Sequence, residues 1–265
     1  MNSRVSKPLL ALLAFGATAC FHHRAAPVVS NTPLMATPQM VDSLWNTAMD
    51  LYQRHKWDKA AAAFDRVELE LPPGDHRVLT GRLYLAQLYV REGSYLQGVR
   101  EYQRLVEEFP TDSVAPEALL AAGDAYAKLW RAPDLDDTYG KTAQGVYTDV
   151  TTRFPNSPAA AKARQRLQKL DNWFAIKEYK GAVYYLKMKA YESAILYLKD
   201  LVATYPNAAI VPDALKQLIA TYRKLGYTTD ITEKCAYMRR DWSQTPQYRS
   251  ACGASTPAGA ENAPR

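Results

Sequence analysis

The chain has 265 residues, 48% hydrophobic and 23% charged, with a net charge of +6; this is enough apolar material for one large or two small folded cores, and it excludes an intrinsically disordered protein. The positive excess is small, and Lys and Arg alternate with Asp and Glu, as in RVELELPPGDHR, which describes a solvated surface and argues against a nucleic-acid partner. Abundant Ala, Leu, Lys, Arg, Glu and Gln, with few alternating β-branched runs, predict an all-α fold.

The first segment is MNSRVSKPLLALLAFGATAC, in which Arg4 and Lys7 precede an apolar run from Pro8 to Phe15 and small residues from Gly16 to Ala19. That order describes a secretory signal peptide over residues 1–19. The apolar run falls short of the ~20 residues that a membrane-spanning helix needs. ATAC, Ala17 to Cys20, resembles a bacterial lipobox, although Ala17 stands where leucine is preferred. The resemblance implies that Cys20 is lipidated and becomes the mature N-terminus, with acyl chains anchoring the protein and Phe21 pointing to the outer membrane. The alternative is ordinary cleavage with Cys20 as a bystander. Loss of Arg4 and Lys7 with the leader takes the net charge from +6 to +4.

Residues 20–38, rich in Pro, Ala, Ser and Thr, read as a flexible tether. His22 and His23 lie here with no third ligand nearby, so no metal site is expected.

Repetition organises the next two hundred or so residues. EEFPTDSVAPEALLAAGDAY, TRFPNSPAAAKARQRL and ATYPNAAIVPDALKQLIATY share one plan, an aromatic and a proline closing one helix, a polar turn, and a second helix that follows at once. Five units can be laid down. The first carries Leu44, Ala48 and Leu51, then Ala60, Phe64 and Pro72; the second Leu85, Ala86 and Tyr89, then Gly98, Tyr102 and Pro110. The third carries Leu119, Gly123 and Tyr126, then Ala143, Tyr147 and Pro155; the fourth Ala182 and Tyr185, then Ala194, Leu198 and Pro206; a fifth begins with Leu215, Ile219 and Tyr222. Small residues let paired helices approach, large ones fill the groove between them, and proline ends the second helix. This resembles the tetratricopeptide repeat (TPR) and predicts a TPR superhelix of about five helix pairs over 39–242, with repeats at about 41–73, 79–111, 116–156, 175–207 and 212–242.

The closing prolines fall 38, 45 and 51 residues apart, longer than the roughly 34 of a plain repeat. One insertion, WRAPDLDDTYGK from Trp130 to Lys141, widens the third unit; another, Ser157 to Leu170, is an extra helix that runs on into the fourth. Residues 243–265 are expected to be a mostly disordered tail. Cys235 and Cys252 are expected to bridge in an oxidising compartment, two unrelated thiols being the alternative.

No motif carries catalysis: there is no Gly-rich phosphate loop, His-Glu-x-x-His or Gly-x-Ser-x-Gly, and His55 and His76 stand alone. No cofactor is implied. A TPR array instead offers a concave surface lined by first helices, suited to peptides or domains. The repeat register places Trp45, Met49, Tyr52, Gln87, Arg91, Asp124 and Lys128 on that groove, with interhelix packing an equal reading for Trp45 and Tyr52.

From Gly181 to Tyr227, GAVYYLKMKAYESAILYLKDLVATYPNAAIVPDALKQLIATYRKLGY is similar to the fourth and fifth repeats of the BamD (ComL) family of outer-membrane lipoproteins, and Ser43 to Tyr227 follows that family's five-repeat layout. The resemblance implies a non-enzymatic scaffold in the β-barrel assembly machinery. Its C-terminal repeats would dock on periplasmic domains of the barrel subunit BamA, and its N-terminal repeats would receive unfolded outer-membrane proteins. Where relatives often carry Asn-Arg in the second helix of the fourth repeat, this chain has Leu196-Tyr197, which puts any contact made by that arginine in doubt. Two other readings stand beside this one. A periplasmic TPR adaptor for Tol-Pal or cell-wall enzymes would call for a coiled-coil extension, and a helical hydrolase would call for clustered His, Cys or carboxylates; neither signal is visible.

Overall fold

The computed structural model describes residues 37–72 and 74–253. The signal peptide, Cys20, the tether up to residue 36 and residues 254–265 lie outside the described residues. Eleven helices follow one another among the described residues: α1 (Pro38–Gln53), α2 (Trp57–Glu70), α3 (Arg77–Arg91), α4 (Tyr95–Glu108), α5 (Ala115–Leu129), α6 (Thr138–Arg153), α7 (Pro158–Lys187), α8 (Tyr191–Thr204), α9 (Val211–Leu225), α10 (Thr228–Trp242) and α11 (Pro246–Cys252). Each helix from α1 to α10 packs on its neighbours in sequence, so α1 to α10 form five consecutive helix pairs, the all-α TPR superhelix.

Two recurring local devices set this rhythm. Within four of the five pairs the first helix ends in a left-handed residue: His55 (φ 57°), Gly93 (φ 85°), Lys189 (φ 59°) and Gly226 (φ 77°). The amide of the following residue then reaches back to the carbonyl five residues earlier, Lys56 to Leu51, Ser94 to Tyr89, Ala190 to Tyr185 and Tyr227 to Tyr222, at 2.8–3.0 Å. This Schellman closure satisfies carbonyls that the helix end would leave open and aims the second helix back along the first. The third pair lacks it because residues 130–137 intervene. Second helices end on Phe109, Phe154 and Tyr205, each near φ −126° and ψ 55°, a backbone state outside the helical region that the following proline favours.

The small positions read from the repeats are the points of closest approach. Ala48, Ala60, Ala86, Ala143, Ala182 and Ala194 are wholly buried, and Phe64, Tyr102, Tyr147 and Leu198 fill the spaces beside them. At Gly123 a Cβ would lie 2.6 Å from the Tyr147 ring. Aromatic and ionic groups share the N-terminal core. Arg82 of α3, 6% exposed, pairs with Glu68 of α2 and Glu108 of α4 and lies 3.8 Å from Glu101. Burial opposes the charge on Arg82, but its bonds to Glu68 and Glu108 outweigh that and raise its pKa. Burial also pushes the Glu101 carboxyl above the usual range. At the α2–α3 corner, Arg77 hydrogen-bonds Asp75 at 2.7–2.9 Å and holds its pKa at about 2.

The segment from Ser157 and the first helix of the fourth pair are one element: with Ser157 capping Ala160 N and Pro158 in the first turn, one continuous helix of 30 residues runs to Lys187. Within the C-terminal segment from 243, residues 246–252 form α11, because Thr245 caps Tyr248 N, Pro246 opens the turn, and Cys252 is bonded to Cys235 with their Cα atoms 5.6 Å apart; residues 254–265 lie outside the described residues.

Candidate peptide-binding groove

A cavity of about 520 Å³ opens between the first helices of the second, third and fourth pairs. Its walls are Val90 of α3, Ala121, Asp124, Ala125 and Lys128 of α5, and Arg166, Lys169, Leu170 and Trp173 of α7, with Tyr102 and Tyr147 of the second helices behind them. The width comes from the small residues on α5, which leave room where larger side chains would close the gap.

One hydrogen-bonded brace fixes the polar side. Tyr147 donates from its hydroxyl to Asp124 Oδ1 at 2.7 Å, and Arg166 donates from Nε to the same oxygen at 2.9 Å and from a terminal nitrogen to Oδ2 at 3.4 Å. Burial, then the bond to Asp124, pushes the Tyr147 phenol far above its ordinary range; the bond to Asp124 keeps Arg166 charged. The Asp124 charge is therefore engaged within the protein. Lys128 lies 5.5 Å from the Tyr95 ring centre, and Lys169 makes no ion pair among the described residues. The groove thus presents two exposed ammonium groups beside an apolar floor of Val90, Leu170 and Trp173, a chemistry that suits an extended segment carrying apolar and acidic groups.

The sequence-predicted residues divide into three groups. Asp124 and Lys128 line this cavity. Gln87 and Arg91 are exposed on α3 beyond the cavity wall, and the Arg91 guanidinium sits 4.0 Å above the Trp57 ring. Trp45, Met49 and Tyr52 belong to the aromatic cluster of the first repeat: Trp45 meets Phe64 edge-on at 5.7 Å and faces Gly81, and Tyr52 packs on Trp57, Phe64 and Tyr84. The groove residues that sequence reasoning missed are Arg166, Lys169 and Leu170, on the segment read as an insertion, and Trp173 just beyond it, all on α7. Their spacing of three, four and seven residues is a helix-face signal that could have found them.

A second surface lies on the fourth and fifth pairs. Leu196 is 67% exposed, and Tyr184 and Met188 at the end of α7 are also exposed. Tyr197 turns inward, packed on Tyr185 at 5.1 Å and lying over Gly181. Tyr227 reaches Glu192 of α8 through its hydroxyl at 2.8 Å.

Among the described residues no group of acidic, His or Cys side chains could hold a metal ion, and no helix is long and apolar enough to cross a membrane. Helix pairs stacked around a braced groove define a helical-repeat binding scaffold of the TPR class. The model of the YfiO family, described as outer membrane lipoprotein, matches residues 38–237, and the chain belongs to that family. It is non-enzymatic. The chain is 28% identical over 202 residues to the outer membrane protein assembly factor BamD of Xylella fastidiosa, covering 71% of this chain and 68% of that protein. It is 24% identical over 212 residues to BamD of Vibrio cholerae, covering 76% and 88%. Among solved structures it is similar to the TPR2AB domain of yeast Sti1, at a TM-score of 0.44 and 15% identity over 80% of this chain and 81% of that one.

Proposed function

We propose that this protein is a scaffold subunit of the outer-membrane β-barrel assembly machinery, held at the membrane by a lipid on Cys20 with its repeats in the periplasm. The groove over α3, α5 and α7 receives segments of unfolded outer-membrane proteins, and the fourth and fifth pairs dock on the periplasmic domains of a BamA-type barrel subunit. The observation that carries the reading is the groove itself: an apolar floor flanked by Lys128 and Lys169, with its one carboxylate, Asp124, already engaged by Arg166 and Tyr147. Membership of an outer membrane lipoprotein family and similarity to proteins named assembly factors support the setting. Leu196 and Tyr184 give the docking face an apolar character in place of an arginine contact.

The test is a photo-crosslinking residue placed at Lys128 in one strain and at Leu196 in another, with crosslinked proteins identified from the envelope. Adducts of nascent barrel proteins at position 128 and of the barrel subunit at position 196 are the expected result. Tol-Pal components or cell-wall enzymes at both positions would replace this reading with that of another periplasmic adaptor. Release of the Cys20→Ala protein from membranes checks the anchor.

A further inference from the structure

α11 lies beyond the segment that the family shares, which ends at residue 237, and it has only seven residues. A helix of that length does not hold itself together in water, so its order must come from what it packs against. Ala251 and Cys252 are buried in the same apolar cluster as Leu215, Leu218, Ile219 and Tyr222 of α9, with Tyr248 packed at its side. Three polar ties accompany them: Arg223 donates to the Ala251 carbonyl, Gln247 donates to Asp213 at 3.0 Å, and Arg239 donates to the Tyr248 hydroxyl at 3.1 Å. The disulfide from Cys252 to Cys235 closes the arrangement across 17 residues of chain.

A repeat array needs a cap at its end, because the last pair has no following neighbour to cover its apolar face. We propose that α11 is a redox-locked cap: the disulfide to Cys235 of α10 keeps it packed over α9, and reduction lets it leave, opening the end of the array. The bond forms by thiol–disulfide exchange. One cysteine thiolate attacks an external disulfide, and the second then displaces the resulting mixed disulfide, so the two cysteines become joined and the external disulfide is reduced to two thiols. Completion of this fold therefore requires a disulfide-donating oxidant after export. Cys235 and Cys252 are only 8–9% exposed, so a reductant reaches the sulfurs when α11 lifts, which makes the lock stable once closed.

The experiment uses the full chain purified without reductant and measures intact mass, tryptic cleavage after Arg249 and amide hydrogen exchange, before and after a phosphine reductant. The oxidised protein should have no free thiol on Cys235 or Cys252. Reduction should speed cleavage at Arg249 at least tenfold and lower protection of α9 amides from Leu215 to Tyr222 by a similar factor, leaving α5 unchanged. Two free thiols before reduction, or unaltered protection after it, overturns the proposal. Cys252→Ser should reproduce the reduced pattern and ignore the reductant; a variant protected like the oxidised chain, or still responsive to reductant, overturns it equally. Should that variant not fold, the reductant series on the natural chain decides alone.

Discussion

The two halves of the superhelix solve one packing problem with different chemistry. In α1 to α6 the helices are joined by aromatic clusters and by charges placed inside or at the edge of the core: Arg82 among Glu68, Glu101 and Glu108, Arg77 between Asp75 and Asp42, and Asp124 between Tyr147 and Arg166 of the following helix. In the C-terminal half Thr221 is the one fully buried polar side chain among the described residues, the core is Leu198, Leu201, Leu215, Leu218, Ile219 and Met238, and the closing element is covalent. An ion pair is satisfied at one relative position of two helices, whereas aliphatic side chains tolerate sliding. The groove is thus built where a charged brace crosses from α5 to α7, and in the C-terminal half the disulfide ties α11 to α10.

The comparison can be broken most sharply at Arg82. Removing its guanidinium by Arg82→Ala leaves Glu68 without its partner in a poorly solvated place and Glu101 with Arg104 alone, and a loss of about 3 kcal/mol is expected, read by urea denaturation. The loss of protection should centre on α2 to α4 in hydrogen exchange; an equal loss in α9 would show that the halves do not behave separately. Next comes Gly123→Ala. Its Cβ would meet the Tyr147 ring, and the displaced phenol would release Asp124, so about 2 kcal/mol of stability and the shape of the groove should be lost together. Replacing Lys128 and Lys169 together by Glu should reduce crosslinking of client segments about tenfold, or ~1.4 kcal/mol, with the melting temperature little changed because neither lysine forms an ion pair among the described residues. Unchanged crosslinking would remove the charge argument for the groove.

Smaller effects test the turns. His55 and Lys189 hold left-handed backbone that glycine adopts freely. His55→Gly and Lys189→Gly should each stabilise the chain by about 0.5 kcal/mol, one in each half, as small upward shifts of the melting temperature. A further test in the N-terminal half is the effect of pH on Asp75. Its folded pKa of about 2 lies below the ordinary 3.8, so its contribution is complete above 3.8 and is lost as the pH falls from there towards 2. The stability difference between the natural chain and Asp75→Asn should be constant at neutral pH and vanish across that interval.

The repeats were legible because each is a local statement. Ala or Gly at the helix contact, an aromatic four residues after the small residue of the second helix and a proline after the last turn are all set within about forty residues, so Ala48, Ala86, Phe64, Tyr102 and Tyr147 could be placed in the core from spacing alone. For Trp45 and Tyr52 spacing left groove and interhelix packing as equal readings, because whether a first-helix aromatic faces open groove or neighbouring helix depends on what stands beside it; here Phe64, Trp57 and Tyr84 do.

By itself, the sequence determined the all-α class, the number of helix pairs and the residues at their contacts, since these follow from helical periodicity and from prolines that end helices. Only the tertiary structure decided that α7 carries the far wall of the groove, that Asp124 is engaged by Arg166 from 42 residues away, and that α11 folds back on α9. Such contacts depend on how successive pairs stack, and stacking is a sum of small rotations that no single repeat encodes.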